Sequence, residues 1–261
     1  MILKLPSENK KWVYNSEAVI AVVGNGAQTE FDNIGFTEED RESAFPLVCF
    51  DVHTAEDVNN HSELRIADMM FVVSELETQN EYDICKIIAQ IGREASHLFL
   101  VTHGRNLHRL RVAEFEKEFG NIILVEDDAV NIFSPVKHLL IDLYKPSFIG
   151  IDMGDILLAF EMGNRRYSYY SKRRYDTMSD MISDIPEMQN AIGLKTNALS
   201  KPSFIVFMEL EQSVALERID EFLSELTSDY PDSQFIWSLT FNEEQNDKSC
   251  TLQLQTVIEY E

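Results

Sequence analysis

The sequence predicts an α/β fold: an N-terminal domain built on a parallel sheet, a central helix, and a smaller α+β C-terminal domain. Three observations carry this. In the first half, short apolar runs rich in β-branched residues alternate with segments of helical period, the pattern of a parallel sheet covered by helices. Ser134-Pro135 then opens one apolar stripe that stops before Pro146. Beyond Pro146 the elements become fewer and longer, with strand-like alternation. A division into residues 1–145 and 146–261 fits the usual ~100 to 200 residues per domain.

Taken in order, the expected strands of the first domain are Ala18 to Val23, Leu47 to Val52, Met69 to Val73, Leu98 to Thr102 and Ile122 to Val125. Helices are expected between them. Thr37-Glu38-Glu39-Asp40 reads as a helix N-terminus, Glu81 to Glu94 places Ile84, Ile87, Ile88 and Ile91 on one face, and Arg111 to Phe119 is a shorter amphipathic segment. The central helix, 134–145, carries Val136, Leu139, Leu140 and Leu143 as its stripe. In the second domain, Arg165 to Ser171, Phe204 to Leu210, Gln234 to Phe241 and Thr251 to Tyr260 read as strands, and Asp176 to Ile185 and Val214 to Leu226 as helices.

Charge is the compositional anomaly. The chain has 22 Lys plus Arg against 45 Asp plus Glu, a formal charge of −23, and such a field repels nucleic-acid phosphates and anionic lipid. Nucleic acid and membrane insertion are therefore not expected as partners. Met1 to Lys11 holds no apolar leader core, and the longest apolar runs are far short of a membrane span, so the expected location is cytoplasmic. Three widely spaced cysteines without a C-x-x-C pair read as buried thiols. No H-E-x-x-H or G-x-S-x-G motif is present, and no metal site is expected.

Three segments are candidates for chemistry. Gly24-Asn25-Gly26 follows a strand, as a phosphate-binding turn does, because glycine lets backbone N–H groups approach oxygen; a tight strand-end turn gives the same pattern. Asp152 and Asp155 open a helical run, placed either to orient water or simply to cap the turn and helix. The run 165–174 contains five cations, Arg165, Arg166, Lys172, Arg173 and Arg174, and three tyrosines without one acid. It reads equally as a solvated strand or as a docking surface for an acidic protein. Residues 175–261 carry 17 acids and 4 bases, so that acidic surface is available on a second copy of the chain.

The order of elements and several phrases resemble the FtsZ branch of the tubulin superfamily. Ile20 to Gly26 is similar to that family's first strand and glycine turn, Ala67 to Val73 to the strand before its signature loop, and Leu100-Val101-Thr102 with Arg109 and Arg111 to the next strand and basic helix start. Pro146 to Asp155 resembles the loop between the central helix and the second domain, and Cys250 to Ile258 the last strand. The resemblance implies a Rossmann-like, FtsZ-like fold, self-association or partnership with FtsZ-like subunits, and a vestigial nucleotide site at Gly24, Asn25, Gly26 and Arg111. It also implies that Gly150, Asp152 and Asp155 correspond to the loop that activates water in the adjacent subunit.

The departures cluster on the nucleotide site. Where the family has a glycine-threonine-rich phosphate loop, this chain has Ser74-Glu75-Leu76-Glu77-Thr78-Gln79-Asn80-Glu81, with three acids and no glycine. The stretch between Asp51 and Ala67 is too short for a further helix and phosphate loop, and Pro135 puts Asn131 and Phe133 in a loop where the family contacts the base. The expectation is a pseudo-GTPase without cofactor or catalysis, acting in interaction or filament modulation, in cell division or cytoskeletal organisation. The alternatives are a divergent polymerising GTPase holding GTP with magnesium, its activity completed in trans by Asp152 and Asp155, and a scaffold docking an acidic partner through the basic strand. The chain shows no tail beyond its last strand, so any membrane role is expected to be indirect.

Overall fold

All five strands expected in the first half form. The computed structural model describes residues 18–34, 47–60, 69–92, 97–106, 118–142, 153–161, 166–194, 196, 201–242 and 248–259. It divides into two units, Met1–Ile141 and Asp142–Glu261. In the first, β1 (Ala18–Val23), β2 (Leu47–Val52), β3 (Met69–Ser74), β4 (His97–His103) and β5 (Asn121–Val125) pair in parallel in the order β2-β1-β3-β4-β5. Every residue of β1, β3 and β5 is buried, which is why these strands read as continuous apolar runs rather than alternating ones.

The chain lays β2 on one side of β1 and β3 on the other, so the direction of winding switches between β1 and β3. In open α/β sheets the crevice outside the carboxyl ends of the strands at such a point is the natural ligand position. Helix α1 (Asn25–Ile34) starts there, immediately after Gly24. Sequence reasoning placed only a turn at this point, because α1 buries just Ala27 and Phe31 and so carries almost no apolar stripe. Helix α2 (Ala55–Asn60) was missed for the same reason, burying Val58 alone. Helix α3 (Gln79–Ile91) buries Ile84, Cys85 and Ile88, and the N-terminal part of the central helix forms α4 (Ser134–Leu140), with Pro135 in its first turn. Ser134 was expected as the cap of α4, but Phe133 holds that position without a side-chain hydrogen bond. The expected helix starts at 37–40 and 111–117 lie outside the described residues.

In the second unit β6 (Arg166–Tyr175), β7 (Ser203–Leu210), β8 (Gln234–Phe241) and β9 (Cys250–Glu259) pair in the order β6-β9-β7-β8. The β6–β9 and β9–β7 pairs are antiparallel and β7–β8 is parallel. The other helices described here are α5 (Met153–Glu161), α6 (Met178–Ser183), α7 (Ile185–Gly193) and α8 (Leu216–Leu226). Leu252 and Leu254 of β9 meet Met181, Ile185, Met188, Phe222 and Leu226 in one core, each large side chain contributing about 1.5–3 kcal/mol by burial. The sequence suggested one helix over 176–185; the structure has two, because Pro186 stands in the first turn of α7, where its missing N–H breaks no hydrogen bond. The opposite face of β9 is polar: Gln253 accepts from the Tyr170 hydroxyl at 2.5 Å and donates to Asp142 at 2.9 Å.

Candidate functional site at the strand ends of the first unit

The turn after β1 depends on glycine. Gly24 has φ +91°, and a Cβ there would sit 2.5 Å from Glu81 Cδ and 2.6 Å from Glu81 Oε1, so both the backbone and the space admit only glycine. The close approach that a glycine turn offers to a phosphate is here taken by the protein's own carboxylate. Glu81 is 7% exposed. Its other oxygen accepts the Glu77 N–H at 2.7 Å, while its own N–H donates to Thr78 Oγ1 at 3.2 Å. Thr78 and Glu81 thus form a capping box on α3, with the glutamate reaching one residue further back than usual.

The segment between β3 and α3 is bent inward. Ser74 Oγ accepts the Leu76 N–H at 3.1 Å, and Leu76 has φ 51°, in the left-handed region that costs a side-chain-bearing residue about 1 kcal/mol or more. This turn carries Glu75 below the surface, to 5% exposure. Asn106 Nδ2 donates to one of its oxygens at 2.9 Å, His103 Nδ1 lies 2.7 Å from the other, and Arg105 Nη2 lies 3.4 Å from each. His103 Nε2 is 3.0 Å from the Val130 carbonyl. With Glu75 ionised both partners of the ring are acceptors, an arrangement that favours the doubly protonated imidazole. Burial alone would lower the His103 pKa, but the Glu75 hydrogen bond, the Val130 carbonyl and the Glu75 charge outweigh it and the pKa is raised. For Glu75, burial pushes upward and is outweighed by the His103 hydrogen bond and charge, Asn106 and Arg105, leaving its pKa below the ordinary carboxylate value.

The neighbouring space is filled as well. Asn131 Nδ2 donates to the Glu30 carbonyl at 2.6 Å and its oxygen accepts the Phe133 N–H at 2.9 Å. Phe133 is fully buried, edge-on to Phe31 of α1 at 5.3 Å. What remains open is a cleft of about 500 Å³ lined by Gly24, Asn25, Val52, His53, Thr78, Asn80, Glu81 and Ile84. Among the described residues no group of three or more His, Cys, Asp or Glu is placed to hold a metal ion.

Of the expected site residues, the structure brings Gly24 and Asn25 to this cleft and sets Gly26 against the Glu75 side chain, 3.3 Å from a would-be Cβ to Cγ. Arg111, Asp152 and Arg165 lie outside the described residues. Asp155 is exposed in the first turn of α5, in the second unit. On the basic strand, read equally as a solvated strand or a docking surface, two of the four described cations are engaged internally. Arg166 is 5% exposed and donates to the Ala159 carbonyl of α5. Arg173 points to the other face and pairs with Asp184 at 2.5 Å, at the start of α7, an oxygen that Tyr175 shares at 2.6 Å. Lys172 and Arg174 are exposed and share a face, with Arg174 donating to Ser249 Oγ at 3.1 Å.

The Glu75–His103–Asn106 cluster went unseen in the sequence. Its signal was register: β3 and β4 pair with Val73 opposite Val101, so two residues further on Glu75 falls beside His103.

No protein-family model matches the chain, and no curated protein matches it by sequence. Solved structures do. A mutant FtsZ from M. jannaschii aligns with TM-score 0.62 at 12% identity, over 94% of this chain and 91% of that one. TubZ from Bacillus thuringiensis serovar israelensis, in GDP-form protofilaments, aligns with TM-score 0.59 at 9% identity, over 94% and 86%. CetZ from Methanosaeta thermophila aligns with TM-score 0.57 at 11% identity, over 92% and 86%. The architecture is the FtsZ/tubulin fold.

Proposed function

We propose that this chain is a pseudo-GTPase on the FtsZ/tubulin fold, working as an interaction or filament-modulating protein through self-association or through contact with FtsZ-like subunits. The observation that carries the reading is the occupation of the Gly24–Gly26 turn by the chain's own Glu81 and Glu75. The TubZ neighbour is described in a GDP form, and the residues at the corresponding strand ends here do not suit a nucleoside diphosphate or triphosphate. The loop after β3 has no glycine, its Glu77 N–H is consumed by Glu81, and His103 and Arg105 are paired with Glu75. No catalytic step through GTP or magnesium follows from such a site.

The protofilament form of TubZ supports longitudinal self-association as the mode of action. In that arrangement Asp155, with Asp152, would act on the neighbouring subunit, and replacing both with alanine should change filament behaviour while costing about 1 kcal/mol in helix capping. One observation favours a second reading, a divergent polymerising GTPase: the 500 Å³ cleft adjoins Gly24 and Asn25. Sedimentation of the purified chain with and without GTP and magnesium, alone and mixed with an FtsZ, separates the two. Nucleotide-independent pelleting or a change in the FtsZ pellet supports the proposal; pelleting that requires GTP overturns it. Among the described residues no helix is long and apolar enough to cross a membrane.

A further inference from the structure

We propose that Glu75 is a built-in oxyanion ligand: its carboxylate fills a pocket formed by His103, Arg105 and Asn106 and thereby ties together the segments that follow β3, β4 and β5, a task that an exogenous small carboxylate takes over once the Glu75 side chain is cut back. The inference rests on the reading of the strand-end site as filled from within, and it assigns the filling a purpose.

Three features make this more than a buried ion pair. The donors come from one short segment, His103 at the end of β4 and Arg105 and Asn106 in the 3₁₀ turn Gly104–Asn106, which receives Glu75 from the segment after β3, and His103 passes the connection on to Val130 after β5. Both oxygens of the carboxylate are engaged, one by His103 at 2.7 Å and one by Asn106 at 2.9 Å, with Arg105 3.4 Å from each. Such a set of one protonatable imidazole, one guanidinium and one amide is a small-oxyanion receptor in its own right. The side chain also enters from an unfavourable backbone, since the left-handed Leu76 is what turns the loop inward. Strain of this kind persists only where surrounding contacts hold it. Among the described residues the charged groups facing the pocket are Glu75 from the β3 loop, His103 and Arg105 from the β4 end, and Asp128 from the β5 loop, 3.3 Å from Arg105 Nη1.

Glu75→Ala removes Cγ, Cδ and both oxygens, which are the heavy atoms of acetate, so acetate is the probe. The full chain is melted in matched ionic strengths of sodium chloride and sodium acetate at neutral pH, wild type beside the variant. Amide exchange is followed at residues 74–78 and 126–131. The expected result is a wild type indifferent to the choice of anion and a Glu75→Ala chain that melts lower in chloride, exchanges faster in both segments, and recovers saturably with acetate. If Glu75→Ala fails to fold in chloride, the same comparison is made as folded yield on refolding in acetate against chloride. Glu75→Gln keeps the volume and removes the charge; in it the His103 ring is expected to titrate at a lower pH than in wild type by NMR. A variant equally indifferent to acetate and chloride, or a His103 that titrates alike in wild type and Glu75→Gln, overturns the proposal. Binding of GTP by wild type would instead overturn the reading of the filled site, and the two failures are read in different samples.

Discussion

The strand ends of the first unit and the basic strand of the second treat charge in opposite ways. Around Gly24 the acids Glu75 and Glu81 are turned inward and matched with hydrogen-bond donors, so that two of the three acids of what looks in the sequence like a repulsive acidic loop form a plug. Along β6 the chain does this only in part. Arg166 and Arg173 are drawn to Ala159 and Asp184, while Lys172 and Arg174 stay at the surface. Arginine thus stabilises the fold at positions 166 and 173 and faces outward at position 174. The lesson is that a charge run signals function only after the members engaged by the fold are subtracted.

The largest expected effect comes from forcing open the plug. Gly24→Ala meets both a positive φ and a 2.5 Å overlap with a Glu81 that cannot withdraw without releasing Glu77 and the α3 cap. A loss of about 3 kcal/mol in chemical denaturation is expected; an unchanged midpoint would mean that the turn is looser than described.

The second effect is in pH. Glu75 has a lowered pKa, so its contribution is present above the unfolded carboxylate value and lost as pH falls through the folded one. His103 has a raised pKa, so its contribution is complete below the unfolded imidazole value and lost as pH rises through the folded one. Stability from this pair should therefore peak between the two unfolded values and fall on either side. Glu75→Gln should remove about 2 kcal/mol at the peak and flatten both flanks. A variant whose pH profile parallels that of wild type would show that the pair is not coupled.

The smaller effects belong to β6. Arg173→Ala removes a partly exposed pair and should cost about 1 kcal/mol without altering association. Lys172→Glu with Arg174→Glu should leave the melt nearly unchanged while weakening any association that decreases with salt, as exposed charges are screened beyond ~10 Å at 0.1 M ionic strength. Sedimentation velocity at low and high salt checks both. If the charge reversal associates like wild type at both salts, the exposed end of β6 is an ordinary solvated strand.

Much of the fold was legible because buried parallel strands leave an unmistakable mark: Ala18–Val23 and Leu47–Val52 are visible as β-branched runs, and their bounds in the structure coincide with those expected. Helices α1 and α2 were not, since a helix that buries one or two side chains leaves no period to read. The site was legible by composition and opaque in geometry. The absence of glycine from Ser74 to Glu81 marked this loop as a departure from the family it resembles, but nothing local could show that Glu75 meets His103 across 28 residues. On β6, alternation assigned Arg166, Lys172 and Arg174 to one face correctly; it could not reveal that α5 reaches Arg166, because coverage by another element is a tertiary fact.

On the proposed function, the strand-end site of the first unit is filled by the chain's own carboxylates and takes no nucleotide. Isothermal titration of the purified wild-type chain with GTP and magnesium tests it most directly. The expected result is no saturable heat at nucleotide concentrations up to the millimolar range, an affinity no better than about −4 kcal/mol. Saturable binding at micromolar GTP, about −8 kcal/mol, would contradict it.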